Sequence, residues 1–112
     1  MSIYHKDLAS GRWFKFSLVE QLANIGSDVI RAIQWKNKGN QEYSKQAFER
    51  ALELIDLTVA DPKNKKRLRE ILRAREALVD YLVYDNEYGS NDESWRNYFY
   101  NFNYASAVQR GR

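Results

Sequence analysis

The densest chemistry in the sequence is the stretch DPKNKKRLREILRAR, residues 61–75, with seven basic side chains: Lys63, Lys65, Lys66, Arg67, Arg69, Arg73 and Arg75. Cations at this density can hold phosphates, and binding of that kind weakens steeply as salt rises. Positive charge near a helix N-terminus opposes the helix dipole, so these charges call for compensation. An acidic helix of the same chain would supply it, as would the acidic tip Asp85, Glu87, Asp92 and Glu93 of a second copy, or plain solvation. The candidate anion- or RNA-binding residues are therefore Lys63, Lys65, Lys66, Arg67, Arg69 and Arg73.

Arg75 is a different case, because it falls close to the middle of the apolar stripe Leu68, Ile71, Leu72, Leu78, Val79 and Leu82. An unpaired guanidinium inside a core is prohibitively costly. Two arrangements satisfy it: an ion pair or snorkelling stem at a helix seam, or an anion-binding role in a pocket between helices. The pattern predicts a partner that is acidic or a tyrosine hydroxyl. On that expectation Arg75→Ala costs about 3–5 kcal/mol, the range for breaking a buried pair.

The third feature is aromatic. Six rings lie between Trp95 and Tyr104. Trp95, Phe99 and Phe102 recur at helical spacing and form a core stripe, with Tyr98, Ala105 and Ser106 beside it, while Tyr100 and Tyr104 project from the opposite side. Base-stacking rings usually have basic neighbours, and here Arg96 is the one nearby cation. An interface suits them better, since tyrosine buries a large ring while its hydroxyl stays wet. Trp13 and Trp35 also lie off their helix's stripe, so the candidate oligomer interface comprises Trp13, Trp35, Tyr100 and Tyr104, with a dimer as the expected assembly.

Evidence for catalysis is thin. There is no cysteine, which removes disulfides, thiolate chemistry and cysteine-ligated zinc. The single histidine, His5, sits in an expected N-terminal tail, so no histidine-dependent triad or metal cluster takes shape. Glu42, Glu49, Glu53 and Asp56 line one side of the second helix but lack the E-x-x-H pairs of di-iron bundles, and the loop DNEYGSNDES departs from the calcium-loop pattern. Turn and cap chemistry accounts for that loop. No metal, cofactor or enzymatic activity is expected.

Positioning these groups requires helices, and one proline with five glycines leaves long stretches free to form them. Gly39 suits a left-handed helix end and Asn40 the next cap. Asp61 caps with Pro62 in the first helical position, and Ser90 with Glu93 spells a capping box. These boundaries predict a single all-α domain over residues 1–112, with a tail at 1–12 and helices at about 15–37, 41–59, 62–84 and 92–108. Short links favour antiparallel neighbours, hence an up-down four-helix bundle. Gly26 on the apolar face of the first helix, beside Leu22, Ile25 and Val29, predicts a close helix crossing. With a formal net charge of +3, no secretory leader pattern and no apolar run near 20 residues, the expected setting is cytoplasmic, without membrane contact or DNA specificity.

The run WKNKGNQEYSKQAFERALELIDLTVADPKNKKRLREILRAREALVDYL, followed by DNEYGSNDESWRNYFYNFNYA, resembles a family of small, functionally uncharacterised helical proteins of bacteria and archaea. More distantly, EYSKQAFERALELI and a late helix with an Arg-Asn pair resemble HEPN domains, helical bundles often encoded beside minimal nucleotidyltransferases. Catalytic HEPN ribonucleases carry an arginine followed, four to six residues on, by a histidine, typically as R-N-x-x-x-x-H. Arg96 and Asn97 match the first two positions, but Asn101, Phe102 and Asn103 stand where a histidine would fall, and none exchanges a proton near neutral pH. The resemblance thus implies a non-catalytic member, a binding or antitoxin-like subunit, with RNA, a nucleotide or a nucleotidyltransferase as partner. The residues alone point instead to a homo-oligomeric interaction module.

Overall fold

The structure is a computed structural model that describes residues 11–110, with only the backbone of Arg110, and the expected tail lies mostly outside the described residues. Four α-helices account for most of it: α1 (Leu18–Asn37), α2 (Gln41–Ala60), α3 (Leu68–Leu82) and α4 (Asp92–Arg110). Short 3-10 turns at Arg12–Lys15 and Pro62–Arg67 precede α1 and α3. No strand occurs among the described residues, so the chain is all-α as expected.

Local chemistry sets the boundaries. Helix α1 starts at Leu18 rather than near residue 15, because the Ser17 hydroxyl accepts the Glu20 N–H (3.2 Å) and the Glu20 carboxylate accepts the Ser17 N–H (3.0 Å). Asn40 caps α2 through the Tyr43 N–H (3.0 Å), and Gly39 adopts φ +80°, a conformation that suits glycine. Asp61 caps the 3-10 turn through the Lys63 N–H (3.1 Å), which moves the start of α3 to Leu68. The cap of α4 is displaced by one residue from the expected Ser90 and Glu93: Asn91 accepts the Ser94 N–H (2.7 Å), and the Ser94 hydroxyl accepts the Asn91 N–H (3.1 Å). Helix α3 stops at Leu82, short of 84, where the buried carboxylate of Asp80 takes the N–H groups of Glu87 (2.8 Å) and Tyr88 (3.1 Å) and folds the loop back.

One cluster of buried apolar side chains unites all four helices, from Leu22, Ile25, Val29 and Ile33 through Phe48, Ala51 and Ile55 to Ile71, Leu78, Trp95 and Phe99. Helix α1 packs closely against both α2 and α4, and α2 packs on α3, while α3 and α4 have no comparably close backbone approach. The seam between α3 and α4 is therefore open, although one polar clamp bridges its end. There the Tyr81 hydroxyl is bonded to Asp92, Asn37 Nδ2 donates to the other Asp92 oxygen (2.9 Å), and Lys36 Nζ stands 4.4 Å from the Tyr81 ring centre.

Candidate functional site

The open seam forms a groove of about 620 Å³. Lys66, Arg67, Arg69 and Arg73 line its α3 side and Trp95 and Tyr98 its α4 side, with Ala74 and Ala77 among the lining residues. The spacing is helical: 66, 69 and 73 fall on one edge of α3 and its leading turn, while 95 and 98 are one turn apart on α4. Arg67 is neutralised, with its Nε and Nη2 atoms 2.8 and 2.6 Å from Glu70 Oε2. Lys66, Arg69 and Arg73 are exposed and make no ion pair among the described residues.

Tyr98 stands edge-on to Trp95 at 5.7 Å and to Phe99 at 5.0 Å. Burial, reinforced by the Glu70 charge, raises its pKa, so its hydroxyl stays protonated and can donate or accept. Trp95 is 7% exposed, and its indole Nε1 is the one buried side-chain polar atom without a hydrogen-bond partner among the described residues. A donor sealed in this way costs roughly 1–3 kcal/mol. Three uncompensated cations and two rings thus line the groove, and one of those rings carries the buried, unsatisfied indole donor.

The predicted residues separate sharply. Lys66, Arg67, Arg69 and Arg73 come together, whereas Lys65 is exposed outside the groove, and Lys63 is bonded to Asp61 and donates to the Phe14 carbonyl (3.0 Å). Lys63 therefore serves the fold. Arg75 is corrected more fully: its Nε meets Asp56 Oδ1 at 2.9 Å across the α2–α3 seam, but the two side chains are 36% and 60% exposed. Helix α3 is rotated from the expected register, with Leu72 44% exposed and Arg75 at the rim. The expected partner chemistry is present in a surface pair, and the cost expected for a buried one does not apply.

The interface candidates divide as well. Trp13 is wholly buried, its indole donating to Thr58 Oγ1 (3.0 Å), so it folds over the core and offers nothing to a partner. Trp35 is half-buried, edge-on to Tyr43 at 4.9 Å and under Lys38 Nζ at 5.2 Å. Tyr100 and Tyr104 are 63% and 64% exposed on the outer face of α4. Arg96 and Asn97 are exposed and Asn103 half-buried, and none of them lines the groove.

A buried polar cluster escaped the sequence reading. Gln21 Nε2 donates to the Trp13 carbonyl (3.1 Å) and Asp61 Oδ2 (2.9 Å), and its Oε1 accepts from Asn64 Nδ2 (2.8 Å), which also reaches the Thr58 carbonyl (3.0 Å). Burial pushes the Asp61 pKa up, but hydrogen bonds from Lys63 and Gln21 outweigh it and hold the carboxyl below its ordinary value. Gln21 could have been found from its place among Leu18, Leu22 and Ile25 on the wheel. Every group in this cluster is satisfied inside the chain, so it is a structural staple.

No helix among the described residues is long and apolar enough to cross a membrane, and no cluster of three metal-ligating side chains occurs among them. No protein-family model matches the chain, and no curated protein or solved structure matches it at a significant level.

Proposed function

We propose that the protein is a cytoplasmic, non-catalytic, homo-oligomeric helical interaction module, built as an up-down four-helix bundle whose α3–α4 seam stays open. The observation that carries this reading is the outer face of α4, where Tyr100 and Tyr104 stand exposed on a stretch without a charged residue from Asn97 to Gln109. A two-fold interface sets the same patch against itself, so an uncharged, tyrosine-rich face meets its copy without like-charge repulsion. Sedimentation at micromolar concentrations should report a dimer or larger species that Tyr104→Glu dissociates while helical circular dichroism is unchanged. A parent protein that is monomeric across the accessible range overturns the reading.

A second reading, a non-catalytic RNA- or nucleotide-associated module that is antitoxin-like or a nucleotidyltransferase partner, draws support from the uncompensated cations Lys66, Arg69 and Arg73 beside two aromatic rings. Salt-dependent RNA binding and a nucleotidyltransferase gene alongside would favour it.

A further inference from the structure

We infer that the groove between α3 and α4 is a binding site for a nucleoside phosphate, with Lys66, Arg69 and Arg73 holding phosphate and Trp95 and Tyr98 forming the side that meets the base. The inference rests on the second reading above and deepens it. It gives the nucleotide a place away from Arg96 and Asn97, which do not line the groove.

Three observations converge. The first is charge: positive groups at the start of a helix oppose its dipole, and the acidic residue on the cationic edge, Glu70, is already committed to Arg67. Lys66, Arg69 and Arg73 span roughly 11 Å along the chain axis, a row that offers donors to more than one phosphate oxygen. The second is the opposite wall, where Tyr98 keeps a protonated hydroxyl beside apolar surface from Ala74, Ala77 and Trp95. That pairing of flat apolar area with a polar handle suits a base. The third is the indole N–H of Trp95, buried without an acceptor among the described residues. Trp95 lines the groove, so an occupant lies against the ring that carries this donor.

The occupant is a nucleoside phosphate either free or within a single strand, since both present the same chemistry. The acidic tip of a second copy would satisfy the cations, but its carboxylates carry no flat heterocycle for the aromatic wall. Electrostatic binding by three cations predicts a slope of log affinity against log salt near about −2 for a single strand.

The test is a ¹H–¹⁵N titration of the full chain at low salt with uridine monophosphate and, separately, a single-stranded RNA 8-mer, following the indole resonance of Trp95 assigned with Trp95→Phe. In parallel, fluorescence anisotropy measures affinity for the labelled RNA in the parent and in the triple variant Lys66→Glu, Arg69→Glu, Arg73→Glu. All three positions are exposed, and glutamate near a helix start favours the dipole, so the variant should keep its fold, as circular dichroism would verify. The expected result is a saturable shift of the Trp95 indole and at least a tenfold loss of RNA affinity, with a flattened salt dependence, in the triple variant. A shift with the RNA alone assigns the site to a strand, and a shift with the mononucleotide assigns it to free nucleotide. RNA binding with a static Trp95 resonance and no loss in the triple variant overturns this site while leaving the second reading intact. Absence of binding to either probe overturns both.

Discussion

At the scale of single residues, burial separates the polar groups that hold the fold from those that are free to bind. Gln21 has no exposed surface and three hydrogen-bond partners, whereas Arg75 has one partner and stands at the rim. Gln21→Met preserves length but takes an acceptor from Asn64, which keeps its bond to the Thr58 carbonyl, and a donor from both Asp61 and the Trp13 carbonyl, so it should cost roughly 1–3 kcal/mol. Arg75→Met keeps the apolar stem and removes only an exposed pair, so it should cost under about 1 kcal/mol. Urea denaturation of both variants checks the contrast. Equal midpoints, or a larger loss at Arg75, would show that the buried cluster is not the staple described. Trp95 stands apart from both, being buried like Gln21 yet lacking a hydrogen-bond partner at its indole among the described residues.

At the scale of elements, the crossing of α1 and α4 turns on Gly26. A β-carbon there would lie 2.6 Å from Phe99 Cβ and 2.8 Å from its Cγ, much closer than packed atoms tolerate. Glycine is the poorer helix former by about 1 kcal/mol, so Gly26→Ala would stabilise an isolated α1. In the folded chain overpacking should prevail, with a net loss of roughly 1–3 kcal/mol. Thermal or urea unfolding of Gly26→Ala, Phe99→Ala and the double variant closes a cycle, and the double variant should lose less than the sum of the singles. A strictly additive result would mean that the two helices do not meet at this point. The same crossing keeps Trp95 and Tyr98 in place, because they share α4 with Phe99.

At the scale of the whole molecule, three ionisable groups tie separate helices together and define a window of pH. Burial raises the pKa of Asp92, but the Tyr81 hydroxyl, Asn37 and the charges of Lys36 and Arg96 prevail and lower it; Asp61 is likewise lowered on balance. A depressed carboxyl contributes stability above its unfolded value of 3.8 that disappears as pH falls through the folded value. Tyr81 has the opposite sign. Burial first, then the bond to Asp92 and its charge, push Tyr81 from 10.0 up to about 12, so its contribution is complete below pH 10 and vanishes as pH rises toward 12. Thermal melts across pH should show a plateau bounded by declines below about 4 and above about 10. Asp61→Asn should soften the acid decline and Tyr81→Phe the alkaline one, and limbs untouched by either variant would break the assignment.

The sequence alone carried the helical class, the four-helix count and most of the punctuation, because caps, prolines and left-handed glycines act within a few residues of where they stand. Asn40, Asp61, Gly39 and the close approach at Gly26 were legible for that reason. Tertiary packing decided what local pattern leaves open. The rotation of α3 moved Arg75 and Leu72 outward, and the Trp13 indole turned inward to Thr58, 45 positions away. The groove itself could not be read from either helix, since Lys66, Arg69 and Arg73 stand out only as part of a longer basic run that includes Lys63 and Lys65, and Trp95 and Tyr98 look like an ordinary core stripe. Helical periodicity fixes which residues share a side of their own helix, whereas the gap between two sides depends on how α1 and α2 space α3 and α4 apart, and that spacing is set by the packed core as a whole.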